Sequence, residues 1–321
     1  MFKKEGLTSE DHIKEIMTQV QIWKTTNDSL PIPTPTQFSI PNQIQQLPIP
    51  NPTQLPITQV TTTQPTLLTT IKQAIVQHDT RDYSLWIKNY DTLVSTDIKI
   101  MQQHIEKWNS LPLISIVIPT YNTTEKCLRE AIESVQQQIY PHWELCIADD
   151  ASVDPQVRTI LEEYATQDQR IKLNFREKNG HISAASNTAL ELVTGDFVTF
   201  LDHDDTLTKH ALFWVVEAIL DNPKAKLFYS DEDKLNDQGE RCDPYFKPDW
   251  NPDLFLSHNY ITHLLVYAVD LVKRVNGFRE GFEGAQDYDL ALRVIEQICS
   301  EQIYHISRVL YHWRATSGST A

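Results

Sequence analysis

Glycine is scarce in this 321-residue chain, with eight in all, and none stands in the turn Pro119-Thr120-Tyr121-Asn122-Thr123-Thr124 after the first strand-like run. A glycine-rich turn is what cradles the phosphates of a nucleoside triphosphate, and this sequence does not have one there. Positive charge is also short: 28 Lys+Arg against 43 Asp+Glu give a formal net charge of −15. That excludes a nucleic-acid partner, which needs a basic surface, and obliges a polyanionic substrate to bring a cation. The four cysteines, Cys127, Cys146, Cys242 and Cys299, show neither close pairing nor zinc-ligand spacing, which fits reduced thiols in the cytoplasm. Long apolar runs are missing too. Ala211–Leu220 is broken by Glu217 and falls short of the ~20 residues a membrane helix needs, and no apolar stretch backs Lys3 and Lys4 as in a signal peptide. The expected protein is cytoplasmic, or rests on the inner face of the membrane, with room for one large or two smaller domains.

What is present centres on Gly195–Asp205. A β-branched and aromatic run, Phe197–Leu201, reads as a buried strand and breaks into Asp202-His203-Asp204-Asp205. Asp202 and Asp204 are two residues apart, so an extended backbone points them the same way. Paired anions call for something positive between them, and hard divalent cations suit such oxygen ligands. The same residues also read as a solvated acidic turn, with Asp205 or Thr206 capping a helix over Leu207–Leu220.

Along the chain, Ser9–Lys24 has helical apolar spacing, giving a short amphipathic helix within residues 1–29. Residues 30–65 are a Pro/Thr/Gln-rich linker that cannot bury enough apolar surface to fold; it is a spacer or a docking segment for a protein partner. Residues 66–110 regain helical periodicity as a collar. In the domain expected over 111–321, strand and helix alternate four times in about the first hundred residues, which implies βαβ units and a largely parallel sheet. The strands Leu113–Ile118, Trp143–Ala148 and Phe197–Leu201 each end in a polar cluster, and right-handed crossovers bring those ends to one edge. Strand Ala225–Tyr229 is expected to end at Asp231-Glu232-Asp233. An irregular aromatic loop with Tyr245, Phe246, Trp250 and Phe255 follows, whose rings either stack on sugars or pack onto the core. Asp287 opens a helix, where the dipole favours a carboxylate, and Asp289 pairs with Arg293.

Four motifs in order, Pro119-Thr120-Tyr121-Asn122, Asp149-Asp150, Asp202-His203-Asp204-Asp205 and Gly284–Leu290, resemble the family 2 glycosyltransferases. Tyr311-His312-Trp313-Arg314 and Asn259–His263 are similar to bacterial members that build surface polysaccharides. The resemblance implies a GT-A fold: a Rossmann-like, mostly parallel sheet flanked by helices, here preceded by a helical region and the linker. It implies inverting transfer from a UDP- or dTDP-linked sugar to a saccharide or glycan hydroxyl, with Mn²⁺ or Mg²⁺ as cofactor. Pro119, Thr120 and Tyr121 would line the nucleotide pocket, Asp150 contact the base, Asp202 the ribose or the metal's water, and His181 and Asn187 the nucleotide or its phosphates. Asp204 would ligate the metal, with His312 as a further ligand, although a histidine on an aromatic strand also reads as a packed core residue. Asp287 falls at the catalytic base, and Trp250 and Asn259 at the acceptor. Many members read Glu-Asp where this chain has Gln286-Asp287. Two other classes stay open: a sugar nucleotidyltransferase, and a non-catalytic module that scaffolds an assembly.

Overall fold

Strands β1 (Ile114–Thr120) and β2 (Trp143–Asp149) are buried at every position, as unbroken apolar runs require of strands covered on both faces. Alternation divides their side chains between two cores. Ile114, Ile116, Ile118, Leu145 and Ile147 enter one, while Val117, Cys146 and Ala148 enter the other. Each fully buried Ile, Leu or Val contributes roughly 1.5–3 kcal/mol.

The computed structural model describes residues 82–314. The helix expected over Ser9–Lys24, the 30–65 segment and the first part of the 66–110 segment lie outside the described residues.

The sheet is parallel through β3 (Ile171–Phe175), β2, β1 and β4 (Phe197–Phe200). Beyond β4 it continues as β8 (Leu265–Ala268), β6 (Leu227–Leu235), β9 (Ile303–Arg314) and β5 (Thr206–Leu207), with β7 (Arg241–Tyr245) also on β6. Here only β6 and β9 run parallel; the other pairs are antiparallel.

Before the sheet stand α1 (Tyr83–Tyr90), capped by Asp82, and α2 (Ser95–Ile105), which buries Met101 and Ile105. In the first core, α3 (Glu125–Gln136), α4 (Pro155–Gln167) and α6 (Ala211–Asp221) cover the sheet with Leu128, Ile132, Val157, Leu161 and Leu212. Thr124 caps α3, and Asp154 with Pro155 opens α4, the residue types that orphan N–H groups favour. Helices α5 (His181–Leu190), α8 (Val269–Arg274) and α9 (Gln286–Ile295) send Ala189, Leu271 and Leu290 into the second core. The single turn α7 (Pro252–Phe255) buries Phe255 there as well. No helix among the described residues is long and apolar enough to cross a membrane.

Two local expectations fail, both through pairing with β9. Asp205 and Thr206 do not cap a helix from Leu207: Thr206–Leu207 pair with His312 and Tyr311, and α6 starts at Ala211. Asp231-Glu232-Asp233 is not a strand end but lies inside β6, which β9 and β7 extend to Leu235. Asp231 and Asp233 are consequently buried, at 4% and 0% exposure, and need internal partners. Asp231 takes His305 Nε2 at 2.8 Å and Lys247 N at 2.8 Å, and Asp233 takes Arg241 Nε at 2.6 Å and the Tyr83 hydroxyl at 2.5 Å.

Candidate active site

Strand β4 delivers the acidic cluster. Leu201 N donates to Val117 O at 3.0 Å, which extends the ladder to the brink of Asp202. Beyond it, β9 fixes the turn: Tyr311 hydroxyl donates to Asp205 Oδ2 at 2.6 Å and accepts from Asp202 N at 3.3 Å, while Arg314 N donates to Asp205 Oδ1 at 2.7 Å. Arg314 Nε also holds the Asp204 carbonyl at 2.7 Å. The Asp204 carboxylate lies 3.9 Å from His203 Nδ1.

Ligand atoms of Asp202, Asp205 and His263 lie within 4.8 Å of one another. The His263 ring stacks on Tyr311 with centroids 4.5 Å apart, and presents Nε2 to Asp202 Oδ2 at 3.8 Å and Nδ1 to Glu232 Oε2 at 3.6 Å. Removal from water, then the charges of Asp204 and Asp287, pushes Asp202 up to about 7. Burial, reinforced by Asp202, raises Asp205 well above the usual carboxylate range against the Arg314 and Tyr311 hydrogen bonds. Burial, with the charge of Lys247, holds the His263 imidazole down at about 3, and therefore neutral. Crowded carboxylates beside a neutral imidazole fit a divalent cation of the Mg²⁺ or Mn²⁺ kind, with Mn²⁺ the more tolerant of nitrogen.

The carboxylate expected to act as the base, Asp287, stands at the start of α9. Gly284, at φ +89°, turns the chain, and its N–H donates to Gln286 Oε1 at 2.6 Å. Asp287 makes no helix cap; its Oδ2 accepts from Asn259 Nδ2 and from Thr262 Oγ1, each at 3.0 Å. Asp289 pairs with Arg293 at 2.7 Å, and also with Arg279.

At the end of β1, Thr120 is buried and Tyr121 is 44% exposed. Asn122 and Ser152 lace the β1 and β2 ends together, Asn122 N donating to Ser152 Oγ at 2.8 Å and Val153 N to Asn122 Oδ1 at 2.9 Å. Asp150, 2% exposed, receives Gly180 N at 3.0 Å and the Arg176 guanidinium at 2.8 Å. His181, exposed at φ +64°, opens α5 beside this pair.

Three of the residues expected at the site are engaged elsewhere. Strand alternation turns Tyr311 toward the cluster and His312 away, so His312 Nδ1 bonds Asp233, and the imidazole grouped with Asp202 is His263. Asn187 spends its amide on the Phe278 backbone, donating to O at 2.9 Å and accepting from N at 2.8 Å, and so clamps a turn. Trp250 packs on Phe255 and Tyr260 and donates to Ser300 Oγ at 3.3 Å. His263, Thr262 and Glu232 were not singled out individually from sequence. The Asn259–His263 segment held the signal for the first two.

A family model described as glycosyl transferase family 2 matches residues 115–275. An uncharacterized protein of Sinorhizobium fredii is 52% identical over 221 residues, covering 69% of this chain and 24% of its own length. An O-antigen biosynthesis protein of Myxococcus xanthus is 40% identical over 240 residues, covering 75% of this chain and 18% of its own. The chain therefore spans about a quarter or less of these relatives. Among solved structures, S. aureus TarS 1–349 in complex with UDP-GlcNAc superposes with a TM-score of 0.55 at 24% identity, over 64% of this chain and 59% of that one. This likeness extends to the fold.

Proposed function

The chain belongs to glycosyl transferase family 2, and from that we propose that it transfers a sugar from a nucleotide diphosphate sugar to a saccharide hydroxyl, with inversion, in the assembly of a polysaccharide. The observation that supports this reading is the gathering of Asp202, Asp205 and His263 ligand atoms within 4.8 Å of one another beyond β4, while Asn259 and Thr262, from the segment that carries His263, hold the Asp287 carboxylate. Asp150, buffered by Gly180 N and Arg176, takes the nucleobase, with Tyr121 open to stack on it. Thr262 and Asn259 occupy Oδ2 of Asp287 and orient the carboxylate, which leaves Oδ1 to accept the proton of the acceptor hydroxyl. The hydroxyl oxygen bonds to the anomeric carbon from that side as the bond to the diphosphate breaks on the other.

Asp202, Asp205 and His263, whose ligand atoms cluster, would hold Mg²⁺ or Mn²⁺, with the Asp204 carboxylate as a further candidate ligand. When bound, the cation supplies positive charge against the leaving diphosphate. The polysaccharide context is supported by the M. xanthus relative, and a UDP-linked donor by the TarS complex with UDP-GlcNAc. The test is a panel of nucleotide diphosphate sugars with Mn²⁺ or Mg²⁺, reading release of nucleoside diphosphate. Metal-dependent release from one donor is the expected result; release of pyrophosphate from a nucleoside triphosphate, or binding of no donor, would reject it.

A further inference from the structure

Lys247 belongs to none of the motifs above, yet its side chain has no exposed surface. A buried ammonium needs every N–H answered. Three acceptors answer three donors here: Glu232 Oε2 at 3.1 Å, and the carbonyl oxygens of Thr262 and His263. Those consecutive residues point in different functional directions. The Thr262 hydroxyl reaches Asp287 Oδ2 at 3.0 Å, and the His263 ring faces Asp202 at 3.8 Å.

The backbone between them needs a hold. His263 sits at φ +43°, the left-handed region that a non-glycine residue adopts at a cost. The segment carrying the lysine is itself strapped to β6: Lys247 N donates to Asp231 at 2.8 Å, Tyr229 hydroxyl to Pro248 O at 2.7 Å, and His305 bridges Asp231 and Asp249. The ammonium is thereby delivered from a fixed frame.

We propose that Lys247 is a positioning residue: by gathering the Thr262 and His263 carbonyls it sets the spacing between Asp287 and the cation cluster around Asp202. This rests on the proposed function, since it assigns those two places their roles. A competing account is that the lysine merely neutralises Glu232, and a near-isosteric double change separates the two.

In Lys247→Met, Glu232 is left without its counter-charge and the melting temperature falls. In the double variant K247M/E232Q no buried charge is left unpaired, so the melting temperature recovers. Electron paramagnetic resonance of Mn²⁺ in the presence of UDP then decides. The expected result is affinity for Mn²⁺ weakened about tenfold or more, with UDP affinity in metal-free buffer unchanged. A double variant that regains wild-type Mn²⁺ affinity together with its melting temperature overturns the proposal. Lys247→Arg provides the second arm: it keeps the charge, but its planar fork cannot meet the same three acceptors. Weakened Mn²⁺ affinity in that variant supports positioning, and wild-type affinity overturns it. A wild-type chain that takes up no Mn²⁺ with UDP overturns it as well. A wild-type chain that binds Mn²⁺ and UDP but turns over no donor counts against the proposed function instead.

Discussion

Thr262 places its hydroxyl 3.0 Å from Asp287 Oδ2, across 25 residues of sequence. Asn259 meets the same oxygen, so two donors fix one half of the carboxylate. Orientation of this kind is what a general base needs beyond suitable basicity.

Asp287→Asn therefore lowers kcat by about 10²- to 10⁴-fold, equivalent to very roughly 3–5 kcal/mol of barrier. Thr262→Val, which deletes one orienting hydrogen bond, lowers it about tenfold. Initial rates of nucleoside diphosphate release measure both, with the melting temperature as the control for folding. Full activity in Asp287→Asn would remove the base assignment.

Chelation with EDTA abolishes donor turnover, and Mn²⁺ restores it, if Asp202, Asp205 and His263 hold the cation. The two histidines separate here. His263→Ala weakens Mn²⁺ affinity about 10- to 100-fold, whereas His312→Ala, which strips a partner from the fully buried Asp233, shows mainly as a lower melting temperature. Titration calorimetry beside thermal melts distinguishes them, and the opposite pattern would return His312 to the cation.

Asn187→Ala destabilises the fold by about 1–3 kcal/mol, because the Phe278 N–H and carbonyl both lose their partner. Nucleotide affinity in the folded variant stays at the wild-type level. Weaker UDP binding without loss of stability would instead put Asn187 in the nucleotide pocket.

Glu144 gives the fold a dependence on pH. Burial alone would raise its carboxyl, but Lys172 Nζ at 2.7 Å, the Thr194 N–H and hydroxyl at 2.6 Å each, and Ser115 hydroxyl at 2.8 Å outweigh it and hold the group at about 2. A depressed folded-state value means that the stabilisation is present above the unfolded value near 4.5 and is lost as pH falls toward 2. The span corresponds to about 3 kcal/mol. Denaturant melts from pH 6 down to pH 2.5 should show a steeper decline in the wild type than in Glu144→Gln, which keeps only the share due to other depressed carboxylates such as Asp91 and Asp289.

The parallel half of the sheet was legible because its signal is local: Leu113–Ile118 and Trp143–Ala148 are unbroken apolar runs that end in polar residues. What sequence could not show depends on partners far along the chain. Asp205 reads as a helix cap until Tyr311 and Arg314 claim its two oxygens, and Asp231 and Asp233 read as a polar strand end until His305, Arg241 and Tyr83 claim theirs. The aromatic loop divides in the same way: Phe246 lies against Trp86 with centroids 5.1 Å apart and Trp250 and Phe255 enter the core, which leaves Tyr245 exposed. Orientation was the other blind spot. The sequence points to His312, and strand alternation in β9 turns that ring toward Asp233, while His263, from a distant segment, is the imidazole grouped with Asp202.

Strand β9 lies between β6 and β5 and supplies both groups that hold the Asp205 carboxylate. A ribosome makes residues 303–314 after every acid in the site, so a nascent chain carries Asp202, Asp204 and Asp287 before the strand that aligns the first two has emerged. Arrival of that strand is what sets the turn, and a chain cut at residue 302 would contain every carboxylate while lacking the Tyr311 and Arg314 groups that hold that turn in place.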